Sequence, residues 1–285
     1  MSSDRTLAGR TLLVSGGSRG IGLAVALRAA RDGANVALIA KTDQPHPKLE
    51  GTIHTAAAAI EEAGGEALAI VGDIRETDRV EAAVAATVER FGGIDACVNN
   101  ASAIALLGTE QLEMKRYDLM QDINARGTFL LSKLCIPHLR RADNPHVLTL
   151  SPPLSLEPRW AKDHVGYTIA KYGMSLCTLG MAAEFSGDGI AFNSLWPRAI
   201  VATAAVQNLL GGDAAMARSR TPEVMADAAH AILTRPSHGC TGNFFLAEDV
   251  LVEEGATDLG RYLAVPGAEP AVDLYVDEVD PPGIG

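Results

Sequence analysis

The run Ser15-Gly16-Gly17-Ser18-Arg19-Gly20-Ile21-Gly22 follows the apolar stretch Thr11-Leu12-Leu13-Val14 and opens a helical pattern. A short apolar run ending in glycines reads as a buried parallel strand. From Gly20, apolar residues recur at Ile21, Leu23, Ala24 and Leu27, and the pattern stops at Asp32-Gly33, as a helix end does. A strand, glycine turn and helix in series leave backbone N–H groups aimed at the helix start, where the dipole also favours an anion. Glycine at 16, 20 and 22 permits the tight turn, close approach of backbone to a pyrophosphate, and close helix–strand packing. The spacing is G-x-x-x-G-x-G rather than G-x-G-x-x-G. Taken alone, the loop is compatible with an ordinary turn before a helix.

Strand-like and helix-like segments alternate along the rest of the chain. Asn35 to Ala40 reads as a second strand, followed by a polar, proline-broken loop over 41–51 and an alanine-rich helix through Ala63. Ala67 to Gly72 reads as a third strand, Thr77 to Phe91 as a helix, and Ile94 to Asn99 as a fourth strand. Tyr117 to Leu139 predicts a long helix, His146 to Leu150 a fifth strand, and His164 to Phe185 another long helix. Ile190 to Trp196 and Asn243 to Leu246 bring the sheet to about seven strands. This alternation is the pattern of an α/β protein, a doubly wound parallel sheet with helices on both faces. No repeat or interior linker interrupts it, so residues 1–264 are expected to form one domain. Residues 265–285 form an acidic, proline-containing tail in which Val272, Leu274 and Val276 alternate. That tail is expected to lie ordered on a neighbour or to be loosely held.

Composition narrows the function by exclusion. The net charge of −11 argues against nucleic-acid binding. No run of about 18 apolar residues exists, so no membrane span is expected. The start Met1-Ser2-Ser3-Asp4-Arg5 has no apolar signal core, which points to a cytoplasmic location. Cys97, Cys135, Cys177 and Cys240 stand far apart with no CxxC pair, as buried thiols in a reducing compartment do. The seven histidines lack metal-ligand spacing, so no metal site is expected.

Tyr167 and Lys171 lie one helical turn apart on one face of the second long helix. A phenol has an ordinary pKa near 10, and a neighbouring ammonium favours its phenolate. Alone, such a pair is common on amphipathic helices. With the glycine turn ahead of it, and with Val71-Gly72-Asp73-Ile74, Val98-Asn99-Asn100-Ala101-Ser102, Asp122-Ile123-Asn124 and Pro197, the chain resembles the short-chain dehydrogenase/reductase family over nearly its whole length. The resemblance implies a Rossmann-type fold and hydride exchange between a nicotinamide cofactor and an alcohol or carbonyl. Within the 285 residues there is no counterpart of the sterol-carrier-like domain or the peroxisomal C-terminal address that similar animal members carry.

Carried over residue by residue, the resemblance implies that Tyr167 exchanges the substrate proton and that Lys171 also bonds the nicotinamide ribose. It implies that Asn124 opens a kink in its helix and holds a water that relays protons to the lysine. Asp73 would accept a bond from the adenine amino group, or cap the next turn, or both. Gly16, Gly17, Ser18, Arg19, Gly20, Ile21, Gly22, Lys41, Ile74, Asn100, Ala101, Pro197 and Ile200 complete the expected cofactor contacts. Ser102 departs from the family's usual glycine. A larger departure is Pro152, which stands where the family has the serine that polarises the substrate oxygen. Ser151, adjoining the strand end, is the first candidate for that role and Ser155 the second. With neither serving, polarisation falls to Tyr167 alone.

At the end of the second strand the chain has Ala40-Lys41, with Arg19 in the glycine turn and no carboxylate at the tip, although Asp43 is near. Two cations favour a 2′-phosphate through charge-assisted bonds, so NADP(H) is expected ahead of NAD(H). Ile104, Leu154, Trp160, Trp196, Ile200 and Val201 suit an apolar carbonyl or alcohol. The long helices carry apolar residues on more than one face: Leu119, Met120, Ile123, Phe129, Leu130, Leu131, Leu134 and Ile136 on the first, and Ile169, Met174, Leu176, Leu179, Met181 and Phe185 on the second. This predicts a homotetramer or homodimer. Two other readings stay open: a nicotinamide-binding scaffold with an impaired site, and an isomerase using bound nicotinamide internally.

Overall fold

A computed structural model describes residues 5–45 and 51–281. Part of the expected 41–51 loop, residues 46–50, and the first four residues of the N-terminus lie outside the described residues. The elements run β1 (Thr11–Ser15), α1 (Gly20–Ala30), β2 (Asn35–Ala40), α2 (Ile53–Glu62), β3 (Glu66–Val71), α3 (Thr77–Phe91) and β4 (Ala96–Asn99). Next come α4 (Met114–Met120), a π-helical turn (Gln121–Arg126), α5 (Gly127–Leu139), β5 (His146–Thr149) and α6 (Val165–Glu184). The chain continues through β6 (Ala191–Trp196), α7 (Ala204–Leu209), α8 (Gly212–Ala217), α9 (Glu223–Leu233), β7 (Phe244–Leu246) and α10 (Ala247–Glu253).

The seven strands form one parallel sheet in the order β3-β2-β1-β4-β5-β6-β7. Strands β1, β4, β5 and β6 are buried along their whole length, because helices cover both faces. One face packs Val25 and Ala29 of α1, Ile53 and Ile60 of α2, and Met225 and Ile232 of α9. The other packs Val80 of α3, Leu131 and Cys135 of α5, and Met181 of α6. Chain order reverses between β1 and β4, so the loops at their carboxyl ends diverge and open a crevice there.

Each expected strand is present to within about two residues, and the expected long helix is longer and not uniform. It runs from Met114 to Leu139, with the π turn Gln121–Arg126 in its middle. Helices α7, α8, α9 and α10 have no counterpart in the sequence reading. Among the described residues no helix is long and apolar enough to cross a membrane.

The expectation for the tail is corrected. Its described residues pack on their own chain. The Ile200 N–H donates to the Ala271 carbonyl at 3.0 Å and the Asp273 N–H to the Arg198 carbonyl at 2.8 Å. Val272 forms an antiparallel bridge with Ala199. Tyr275 is buried, with its ring edge-on to Trp196 at 5.9 Å.

His146 gives the fold a pH dependence. Its ring is buried in β5, and Nε2–H donates to the Arg235 carbonyl at 3.0 Å. Nδ1 has no hydrogen-bond partner among the described residues. Protonating Nδ1 would bury a cation, and burial lowers the pKa from 6.5 to about 4. Between those values the unfolded chain binds the extra proton, so stability rises with pH over this window and is lost as pH falls through it. At 1.36 kcal/mol per pKa unit the effect is roughly 3 kcal/mol. Urea midpoints measured across this window should slope upward in the wild type and clearly less in His146→Asn. Equal slopes would refute the assignment.

Candidate active site

The glycine turn sits where β1 meets β4 at the reversal of chain order. Gly16 is left-handed (φ +69°), and a Cβ there would stand 2.9 Å from the Ala101 Cα. A Cβ on Gly22 would fall 2.4 Å from the Asn100 Nδ2, and one on Gly17 would fall 2.5 Å from the Leu38 Cδ2. Asn100 fills the space so left: its Nδ2 donates to the Ser15 and Gly16 carbonyls, each at 3.0 Å. The N–H groups of Asn100 and Ala101 both donate to the Ser15 Oγ at 3.1 Å. Arg19 supplies no side-chain cap to α1, and the first turn contains no acidic residue. The first N–H groups of α1 therefore face outward with the positive end of the helix dipole.

A cavity of about 830 Å³ opens at this point. Of the expected cofactor contacts, Gly16, Ser18, Arg19, Gly20, Ile21, Lys41, Asp73, Ile74, Asn100, Ala101, Tyr167, Lys171 and Pro197 line it. Gly17, Gly22 and Ile200 do not. The first two serve the packing of the turn, and the Ile200 backbone is held between Ala271 and Arg220. Ile104, Trp196 and Val201 of the expected apolar group line the cavity, whereas Leu154 and Trp160 do not. The sequence reading missed Thr203, Asn208, Leu209, Met225 and Asp273 as lining residues.

Asp73 is already engaged. Its carboxylate accepts from the Arg75 Nε at 3.0 and 3.1 Å and from the Arg75 Nη2 at 2.6 Å, and Oδ1 also accepts the Arg75 N–H. These bonds hold its pKa below the usual carboxylate range. Asp43 lies outside the lining and is bonded by the His54 Nε2 at 2.7 Å.

At the opposite end, Tyr167 and Lys171 project from α6 beside Trp196 of β6. The Lys171 Nζ donates to the Leu150 carbonyl at 2.9 Å and lies 5.1 Å from the centre of the Trp196 ring. Burial lowers its pKa to about 7, with Asp273 opposing. Burial also pushes the Tyr167 phenol well above 10, with Tyr275 and Asp273 adding to the rise. The expectation that Lys171 draws out a phenolate is corrected in this state. Desolvation outweighs the attraction when both groups are buried and the ammonium is turned to a carbonyl. The phenol is held protonated.

Two expected roles meet a different geometry. Ser151 is fully buried, shares a 2.9 Å hydrogen bond with the Ser194 Oγ and does not line the cavity. Ser194 in turn donates to the Thr178 Oγ1 at 2.9 Å. The Ser151 hydroxyl therefore ties β5 to β6 and α6, and its assignment as substrate polariser is corrected. Ser155 does not line the cavity either. Asn124 sits in the π turn, where a helix is locally widened. Its Oδ1 accepts the Ala103 N–H at 2.7 Å and its Nδ2 donates to the Ala103 carbonyl at 3.0 Å. Fully buried and outside the lining, Asn124 clamps the loop after β4 rather than facing the cavity.

The short chain dehydrogenase family model matches residues 10–212. A hydroxysteroid dehydrogenase-like protein 2 from Danio rerio is 55% identical over 271 residues, which is 95% of this chain and 65% of that protein. The chain thus spans about two thirds of that relative's length. The crystal structure of a short chain dehydrogenase from Mycobacterium thermoresistibile is 63% identical with a TM-score of 0.93, covering 98% of this chain and 99% of that one. The crystal structure of an NADH-dependent reductase complexed with NAD is 27% identical with a TM-score of 0.68, covering 84% and 95%. The chain belongs to the short chain dehydrogenase family, and its seven-stranded sheet is the Rossmann-like sheet of that family's solved structures.

Proposed function

We propose that the protein is an NADP(H)-dependent oxidoreductase that interconverts an apolar carbonyl compound and its alcohol. The observation that carries this reading is one cavity lined at one end by the glycine turn and at the other by Tyr167 and Lys171. A bound nicotinamide would supply the hydride acceptor or donor at the carbon that bears the reacting oxygen. The N–H groups of Gly20 and Ile21, which open α1 without a side-chain cap, and that of Ser18 in the turn before it would bond its pyrophosphate. Gly16 and Gly20, which line this end, leave the backbone open to close approach. Asp73 and Ile74 would flank the adenine, and Ala101 and Pro197 the nicotinamide side. A structural relative solved in complex with NAD supports a nicotinamide cofactor in this fold.

Tyr167 is the proton donor in this reading. Held as a neutral phenol at neutral pH, it is in the form that delivers a proton to a carbonyl oxygen. Lys171 anchors to the Leu150 carbonyl and places its cation behind the reacting atoms. Asn124 is a positioning residue that fixes the Ala103 loop at the cavity edge. Tyr167→Phe keeps the ring and removes only the proton. It should abolish nearly all NADPH consumption with decanal or cyclohexanone, while NADPH affinity by fluorescence titration stays near that of the wild type. Retention of most of the wild-type rate would sink the assignment. Tight NADPH binding by a wild type that turns over no carbonyl would favour the scaffold reading instead.

The choice of NADP(H) rests on Arg19, Lys41 and Thr42 at the adenosine end, where among the described residues no carboxylate other than the Arg75-bonded Asp73 lines the cavity. The Arg19 Nη2 also donates to the Gly51 carbonyl at 2.8 Å, and both Arg19 and Lys41 line the cavity. The double variant Arg19→Ala/Lys41→Ala removes two charge-assisted bonds worth about 1.5 kcal/mol each. NADPH should weaken about a hundredfold by that arithmetic, and NADH only slightly. An equal loss for both dinucleotides would show that these cations do not read the phosphate.

The reading extends to a two-fold homo-oligomer, tetramer ahead of dimer. Val165, Ile169, Leu176 and Leu179 of α6 and Phe129 of α5 are exposed on a single chain, between 38 and 56% of their surface. So much apolar surface on two neighbouring helices marks a protein–protein face. Light scattering at micromolar concentration should return a mass at least twice that of the chain, and a fully active monomer would overturn the assembly.

A further inference from the structure

We propose that Asp273, carried back to the cavity by the C-terminal segment, donates a hydrogen bond to the substrate oxygen beside Tyr167. The proposal rests on the oxidoreductase reading above and adds a second donor that this reading lacks. Pro152 has no hydroxyl, the Ser151 hydroxyl is spent on Ser194, and Ser155 does not reach the lining. Asp273 lines the same cavity as Tyr167 and Lys171.

Its position is fixed from both sides. On one side the Asp273 N–H donates to the Arg198 carbonyl at 2.8 Å, and the Trp196 Nε1–H donates to the Leu274 carbonyl at 2.8 Å. On the other, the Tyr275 hydroxyl and the Thr168 Oγ1 share a 3.1 Å bond, and Thr168 directly follows Tyr167. Asp273 is thereby held between β6 and α6, in the wall that also contains Lys171 and Trp196. Its Oδ1 accepts the Leu274 N–H at 2.6 Å, while Oδ2 has no hydrogen-bond partner among the described residues.

The groups that face this carboxyl are Tyr167 and Lys171 from α6, Tyr275 from the tail and Glu248 from α10. Glu248 is fully buried, accepts the N–H groups of Arg198 and Ala199, and lies 3.4 Å from the Arg220 Nε. Burial pushes the Asp273 carboxyl up to about 7. The Leu274 N–H and Lys171 oppose the rise, and Glu248 adds to it. A carboxyl kept neutral by its surroundings is a hydrogen-bond donor where a carboxylate only accepts. The donor form is present below about pH 7 and is lost above it.

The test uses NADPH and p-dimethylaminocinnamaldehyde, an apolar aldehyde whose absorption moves to longer wavelength when its carbonyl oxygen accepts hydrogen bonds. Asp273→Leu keeps volume without a donor, and Asp273→Asn keeps a donor that does not titrate. Losing one such donor costs about a hundredfold or more in kcat, so Asp273→Leu should fall by that factor with NADPH affinity unchanged. Asp273→Asn should stay within about tenfold of wild type. Lys171 also titrates near pH 7, so the pH profile is read as a difference: part of the fall in kcat/KM above neutrality should vanish in Asp273→Asn.

A second readout needs no turnover. In the Tyr167→Phe background the bound aldehyde should keep a red-shifted band, and Tyr167→Phe/Asp273→Leu should lose it. An active Asp273→Leu, or an Asp273→Asn as impaired as Asp273→Leu, overturns the proposal. If Asp273→Leu also loses NADPH affinity, Asp273→Asn decides alone, and a loss beyond about a hundredfold there is fatal. A wild type that consumes no NADPH sinks the oxidoreductase reading, while the band shift still decides the Asp273 contact.

Discussion

The Asn100 amide ties the glycine turn to the end of β4, and the cavity depends on that tie. It bonds the carbonyls of Ser15 and Gly16 just beyond the β1–β4 ladder, where chain order reverses. The amide fits only because Gly16 and Gly22 have no Cβ. This half-buried amide thus holds the glycine turn against the start of the wall formed by Ala101 to Ile104. The same economy recurs at Asn124, whose amide clamps Ala103 from the far side and occupies the π turn of its helix. Two asparagines, each bonded to backbone, hold the segment after β4 between two fixed points. Buried amides satisfied in this way rigidify a loop that apolar contacts alone would leave free to slide.

Burial, more than charge pairing, governs the chemistry at the other end. Tyr167 and Lys171 are each shifted toward the neutral form, and Asp273 is shifted the same way. A phenol held above 10 and a lysine and a carboxyl both brought to about 7 can exchange hydrogen bonds with a polar atom in the cavity near neutral pH. The Trp196 ring contributes twice: its face lies near the Lys171 ammonium, and its N–H holds the tail that carries Asp273.

That tail changes what the domain is. Tyr275 contacts the rings of Trp160, His164, Tyr172 and Trp196, and so joins the loop after β5, α6 and β6 in one aromatic cluster. Arg159 holds Asp277, and Arg220 holds Asp280, near the C-terminal end of the returning segment. The segment behaves as part of the cavity wall.

Sequence by itself determined the sheet, the glycine turn, and the Tyr167 and Lys171 pair. Each of these is specified by residues within a few positions of one another: an apolar run, a glycine spacing, one helical turn. The π turn was anticipated only as the kink that the family resemblance implies at Asn124. The helices between β6 and β7 follow no motif, and the alanines of α9 gave no boundary. What only tertiary structure decided was which way side chains face and what distant segment meets them. Ser151 and Pro152 adjoin a strand end, yet the register of β5 on β6 turns Ser151 inward to Ser194. Asp273 looks like one more acid in an acidic tail until the backbone of Arg198 and the indole of Trp196 bring it beside Lys171. Burial, which shifts all three titrating groups, belongs to no residue on its own. It arises only when chain segments far apart in sequence exclude water together.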